Sequence, residues 1–92
     1  MAFEVKPDSE KFEDGRGVSF QAVDGDKNID CIISMEALGD AFDAPRIGKA
    51  GYVVAYRNNS TRIHFAAKRN YSEGFRDADG VVVVTSFDFS GR

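Results

Sequence analysis

Little in this sequence is available for catalysis. Its 92 residues include one cysteine, one histidine, two prolines and no tryptophan. A lone cysteine excludes an internal disulfide, and one Cys with one His is too few for an ordinary zinc site. No phosphate-binding glycine loop of the P-loop or dinucleotide type is present. No apolar run approaches the roughly 20 residues needed to cross a bilayer, so no membrane partner is expected. Residues 1–17 show no basic segment followed by an apolar run, so no signal peptide is visible and a cytoplasmic location is expected.

What is present suits one small domain. Apolar residues make up 42% of the chain. A single domain over residues 1–92 is expected, with residues 1–16 as an N-terminal arm and 17–92 carrying a hairpin, two helices and a final strand. A chain of this size buries roughly 60–65% of its unfolded surface, and self-association would widen that thin margin. The net charge of -3 is uneven, with eleven acidic and four basic side chains in residues 1–45 against four and eight in residues 46–92. Such asymmetry either steers a partner or balances two halves of one surface.

The organising stretch is residues 18–38. Val18, Phe20 and Ala22 alternate with Ser19 and Gln21, which is the period of a half-buried strand. Asp24, Gly25, Asp26, Lys27 and Asn28 supply turn chemistry. Ile29, Cys31 and Ile33 form the next alternation, so a hairpin is predicted. Ser34 is the expected N-cap of a short helix with Glu36 in its first turn. Met35, Leu38 and Phe42 share a face of that helix, and Ala44-Pro45 is the expected stop.

In the arm, Phe3 and Val5 suggest a short edge strand ended by Pro7, Phe12 an anchor to the core, and residues 13–17 a turn. Tyr52, Tyr56, Asn59, Ile63, Ala66 or Ala67, and Asn70 recur at threes and fours, predicting a long helix over about residues 49–71 with a break near 58–60. Phe75 is expected to plug the core from the loop at 72–80. Residues 81–84, four consecutive valines, are the strongest strand, apolar on both faces. The expected fold is α+β: a three- or four-stranded, mainly antiparallel sheet with one short and one long helix packed on it.

Candidate chemistry is thin. Asp24, Asp26, Asn28 and Asp30 begin like a calcium loop, but its sixth position is Ile29 and its twelfth Met35, so no metal is expected, and no cofactor. Cys31 precedes a helix start, the setting of a reactive thiol, yet its alternation with Ile29 and Ile33 reads as core. On the helical wheel His64 sits beside Arg57 and Lys68, whose charges favour its neutral form. No acid, base and nucleophile converge, so a non-catalytic protein is expected, with Cys31 or His64 the only enzymatic alternatives. The better candidate is a surface: Val54, Asn58, Arg62, Phe65, Lys68 and Arg69 run down the helix opposite its apolar stripe. Phe65 there serves as an anchor in a protein contact, as a stacking platform for nucleic acid with cations on phosphates, or as local packing under residues 72–80.

The ordered set of motifs resembles a family of short bacterial proteins known as domain of unknown function 1488 (DUF1488). The elements are Val18-Ser19-Phe20, the Asp24-Gly25 turn, Cys31 to Ser34, Glu36-Ala37-Leu38, then Tyr56, Ile63 and Ala67, and finally Gly80, the valines, Thr85-Ser86 and Asp88-Phe89. The likeness spans roughly Phe12 to Phe89. Where members often carry Arg four residues after the helix aromatic, this chain has Ser60, with Arg62 as the nearest substitute. The resemblance implies a small α+β protein with no assigned activity. The expected role is accessory or regulatory, through protein–protein contacts and as a homodimer, with a nucleic-acid-associated regulator as the alternative.

Overall fold

Alternating apolar residues decide where the sheet forms and which face it buries. The computed structural model describes residues 3–42, 49–77 and 79–89. The elements run β1 (Phe3–Val5), β2 (Lys11–Glu13), β3 (Gly17–Asp24), β4 (Lys27–Ser34), α1 (Met35–Phe42), α2 (Lys49–Asn58), α3 (Ser60–Ser72) and β5 (Val82–Val84), then one 3-10 turn at Ser86–Phe89. This is the expected α+β class, with five strands rather than three or four.

β3 and β4 form the antiparallel hairpin, with Val18 opposite Ile33, Phe20 opposite Cys31 and Ala22 opposite Ile29. These facing pairs build one apolar layer. The turn needs only two residues, Gly25 and Asp26, and Gly25 takes a φ of 61°, which suits the twist of a tight hairpin. At the other end Gly17 has no substitute. Its φ is 145°, and a Cβ there would lie 1.9 Å from the Ile33 carbonyl oxygen.

β1 and β2 both pair with β3. Between the pairs Val5–Ala22 and Lys11–Ser19, residues 6–10 face only two residues of β3. The excess forms a bulge. Ser9 pins it by accepting the Gln21 N–H at 3.0 Å and donating to the Lys6 carbonyl at 2.8 Å. Asp8 takes a φ of 58°, a left-handed conformation rare outside glycine.

Ser34 caps α1 as expected, its Oγ accepting the Ala37 N–H at 3.1 Å. Leu38 is buried and Met35 packs against the core. The expected stop at Ala44-Pro45 and the Phe42 side chain lie outside the described residues. The predicted long helix is two, α2 and α3, broken at Asn59 within the anticipated window. Asn59 makes the break self-contained: its Nδ2 donates to the Ala55 carbonyl at 2.9 Å, and its own carbonyl receives the Ile63 N–H at 3.1 Å. The apolar stripe of Tyr52, Ala55, Tyr56, Ile63, Ala66, Ala67 and Tyr71 packs with the inward residues of the sheet in one core. Phe12 anchors its strand by stacking on Tyr52, ring centroids 5.9 Å apart.

β5 runs parallel to β4 at the sheet edge. Val82 and Val84 are fully buried, while Val81 and Val83 are half-buried. The edge is sealed by the chain itself. Val81 donates its N–H to Asp77 Oδ1 and accepts the Asp77 N–H, both at 2.9 Å. The Val83 carbonyl accepts from Asn70 Nδ2 at 3.2 Å. Thr85 donates to Asp88 Oδ2 at 2.8 Å and accepts the Asp88 N–H at 3.0 Å. These groups are therefore not open to template a further strand. Phe75 contradicts its expected role as a plug: it is 61% exposed. The Asp77 turn secures the loop without it.

Candidate functional site

Two sides of the α2–α3 pair carry the candidate residues. The outer side is the surface expected from sequence. Phe65 is 67% and Val54 52% exposed, and Asn58, Arg62 and Lys68 are exposed with them. Phe65 is thus not packed under residues 72–80. The cations here are oriented by neighbours. The Arg62 guanidinium lies 5.6 Å from the centre of the Phe89 ring, a cation–π distance. Arg69 pairs with Asp88 at 2.8 Å and is only partly exposed. A shallow groove of about 450 Å³ runs between them, lined by Thr61, Arg62, Phe65, Ala66, Arg69, Asp88 and Phe89.

Asp88 is a hub that the sequence reading missed as such. It receives Arg69, Asn70 and the Thr85 N–H. Its bond back to Thr85, three residues earlier, is the reach of a capping box at the start of the 3-10 turn. Among the described residues Asn70 is the one buried polar residue of the core, and its amide is satisfied by Val83 and Asp88. The Thr-Ser-x-Asp signature therefore has a structural explanation.

The other side holds a pocket that spacing alone concealed. Tyr56 Oη and His64 Nε2 share a hydrogen bond of 2.6 Å. Both rings lie 5.3 Å from the Phe20 ring. His64 is half-buried, and burial holds its pKa below the ordinary 6.5 against an opposing pull from Glu10. The neutral ring is thus favoured by burial rather than by neighbouring cations, which corrects the expectation. Burial likewise raises Tyr56. Glu10 reaches across from the bulge to Arg57 Nε at 2.6 Å, and this bond lowers its pKa from 4.5. The Glu10 side chain is 9% exposed and the Arg57 side chain 63%. Tyr56 and His64, eight residues apart, are just over two helical turns apart, the one sequence signal that could have placed them together. Ser60 lines this same pocket, beside Arg57, whereas the suggested substitute Arg62 lines the groove at Phe89.

Cys31 is buried, and burial followed by the charge of Asp30 pushes its thiol up to about 12. That suits a core residue, not a nucleophile. The acidic hairpin residues are engaged elsewhere: Asp24 accepts from Tyr71 Oη at 2.8 Å and Asp30 from Gln21 Nε2 at 3.0 Å. Among the described residues no group of three or more Cys, His, Asp or Glu is placed to hold a metal. Among them, too, no helix is long and apolar enough to cross a membrane.

Among the described residues, an open, mostly antiparallel sheet with three helices packed on it and two recesses beside the α2–α3 pair defines a small α+β protein class. The family model described as a protein of unknown function (DUF1488) matches residues 7–84, and the chain belongs to that family. The match stops short of the Thr85-to-Phe89 signature. A crystal structure of a protein of unknown function from the DUF1488 family, from Shewanella loihica PV-4, shares the fold at a TM-score of 0.77. It is 17% identical, over 89% of this chain and 90% of that one. No curated protein matches.

Proposed function

We propose that this protein acts without catalysis, as an accessory or regulatory protein that docks another protein on the outer face of α2 and α3. The observation that carries this is Phe65, an aromatic ring 67% exposed on an ordered helix, among Asn58, Arg62, Lys68 and Arg69. Aromatic and Arg side chains rimmed by polar groups are the usual anchors of protein interfaces. The buried thiol of Cys31 and the pairing of His64 with Tyr56 further support a non-enzymatic role. Nucleic-acid contact is the weaker alternative, because Arg69 is neutralised by Asp88 and Arg62 lies against Phe89. A second copy as the partner gains little support from β5, where the Val81 N–H and the Val83 carbonyl on the edge are already bonded within the chain.

The test places a photo-crosslinking amino acid at position 65 and, as control, at the exposed hairpin residue Asp26. Defined adducts at 65 alone support the reading, and solution mass by light scattering separates a second copy from a different partner. Equal labelling at both positions overturns it. Salt-dependent oligonucleotide binding lost in Lys68→Glu transfers the face to nucleic acid.

A further inference from the structure

The pocket between the bulge and α2–α3 is independent of that docking face. It measures about 330 Å³, and its lining includes the cations Lys6 and Arg57, the carboxylates of Asp8 and Glu10, and Ser60 and His64. Pockets of this size take small molecules. Its floor is rigid, since the Tyr56–His64 pair rests on the buried Phe20 ring. Residues that carry donors line it from separate elements: Lys6 from the bulge, Arg57 from α2, Ser60 and His64 from α3.

One acceptor already occupies it. Glu10 is carried by a bulge that breaks strand pairing to deliver it, and bulges are a common device for re-aiming a side chain. Its side chain is 9% exposed and its carboxylate bonds Arg57, whose own side chain stays 63% exposed at the mouth. A carboxylate is therefore seated in this pocket within the native fold. The delivering segment is under tension: Asp8 holds a φ of 58°, and Ser9 ties the bulge to β3. Strained residues of this kind cluster at ligand clamps and switch segments.

We propose that this pocket is a binding site for a small organic carboxylate, and that Glu10 is its tethered competitor. The ligand's carboxylate takes the place of Glu10 at Arg57, and its body lies on the Tyr56–His64 floor with Ser60 and Lys6 at the sides. Ligand enters only when Glu10 has swung out, so its apparent affinity is reduced by the fraction of time that Glu10 is seated. No bond is made or broken.

The single histidine makes the test direct, because its ring resonances are unique. Sodium acetate is titrated into the wild-type protein and Glu10→Ala while His64 is followed by NMR, at ionic strength matched with chloride and with acetamide as the neutral isostere. Saturable His64 shifts with acetate are expected in Glu10→Ala, at least about tenfold tighter than in the wild type, the effect of removing a tethered competitor. Adding Arg57→Ala is expected to abolish them. If Glu10→Ala fails to fold, Glu10→Gln keeps the shape and weakens the seat, and an intermediate gain is expected. The proposal is overturned if acetate gives no saturable shift in either variant. It is equally overturned if acetamide matches acetate, or if loss of Arg57 changes nothing. None of these outcomes bears on crosslinking at position 65.

Discussion

His64 and Phe65 are neighbours on α3, and each sits where the other's chemistry would be more at home. The imidazole is half-buried against Phe20, and the phenyl ring is 67% exposed. The two sides are built by different rules. On the pocket side polar groups leave water and must find partners, because an unpaired buried donor or acceptor costs about 1–3 kcal/mol. They do find them: among the described residues no buried side-chain nitrogen or oxygen lacks a hydrogen bond. On the outer side an aromatic ring forgoes the roughly 1.5–3 kcal/mol that burial would contribute. A lone exposed apolar residue is ordinary. An exposed Phe in line with an exposed Val and bordered by oriented arginines is a surface left for something else.

If the pocket side is truly interior, its groups respond as interior groups. The largest effect is kinetic. With its pKa pushed up to about 12, Cys31 has a thiolate fraction near pH 8 that is lower on the order of a thousandfold than that of a free thiol. Native protein is expected to resist iodoacetamide and unfolded protein to react at once, and mass spectrometry of both under one pulse checks this. The next effect is energetic and belongs to the groove on the outer side. Asp88→Ala removes a partner from Arg69, Asn70 and the Thr85 N–H together. A loss of about 3 kcal/mol is expected, typical of breaking a partly buried ionic network, and read from the urea midpoint. Lysine at position 65 would cost far less, which sets the scale of the contrast.

The sequence made the two sides unequally legible. The hairpin, the Ser34 cap and the valine strand all follow from local periodicity, and each is present. The helix break at Asn59 was visible because a polar residue interrupted an apolar stripe. What stayed hidden depended on contacts distant along the chain. Glu10 and Arg57 are 47 residues apart, and so are Asp24 and Tyr71. The bulge that aims Glu10 leaves no periodic trace. Phe75 misled because a lone aromatic in a polar loop looks like a plug. Its loop is instead held by Asp77, whose carboxylate collects the N–H groups of Asp79 and Val81. Val54, Asn58, Arg62, Phe65, Lys68 and Arg69 share one helix face by spacing, yet that spacing does not reveal that Arg69 is drawn into an ion pair with Asp88.

Smaller effects sharpen the pocket side. Tyr56→Phe keeps the ring in the core and removes its bond to His64, for a loss of about 1 kcal/mol. The pH dependence follows from two depressed pKa values. Burial lowers His64 below 6.5, so as pH falls through 6.5 the unfolded chain takes up a proton that the folded chain refuses, and stability drops. The Arg57 bond lowers Glu10 below 4.5, so its contribution is present above 4.5 and is lost as pH falls through the folded value. Denaturation midpoints from pH 8 to pH 3 should therefore decline in two stages. His64→Gln is expected to flatten the upper stage and Glu10→Gln the lower, each leaving the other in place.

The smallest expected effect in the isolated protein is the one that decides the outer side. Phe65→Ser exchanges an exposed ring for a hydroxyl on α3, and stability should change by less than about 0.5 kcal/mol, as for surface substitutions generally. A larger loss would mean that the ring packs within its own chain, and the contrast with His64 would dissolve. With stability unchanged, the same variant must lose the crosslinked adduct formed from a photo-reactive group at the neighbouring exposed position, Lys68. Unchanged stability with an unchanged adduct would leave Phe65 a bystander and shift the anchor of the face to Val54. Only unchanged stability with a lost adduct keeps the ring where its exposure places it, as a group held out by the fold for contact with another molecule.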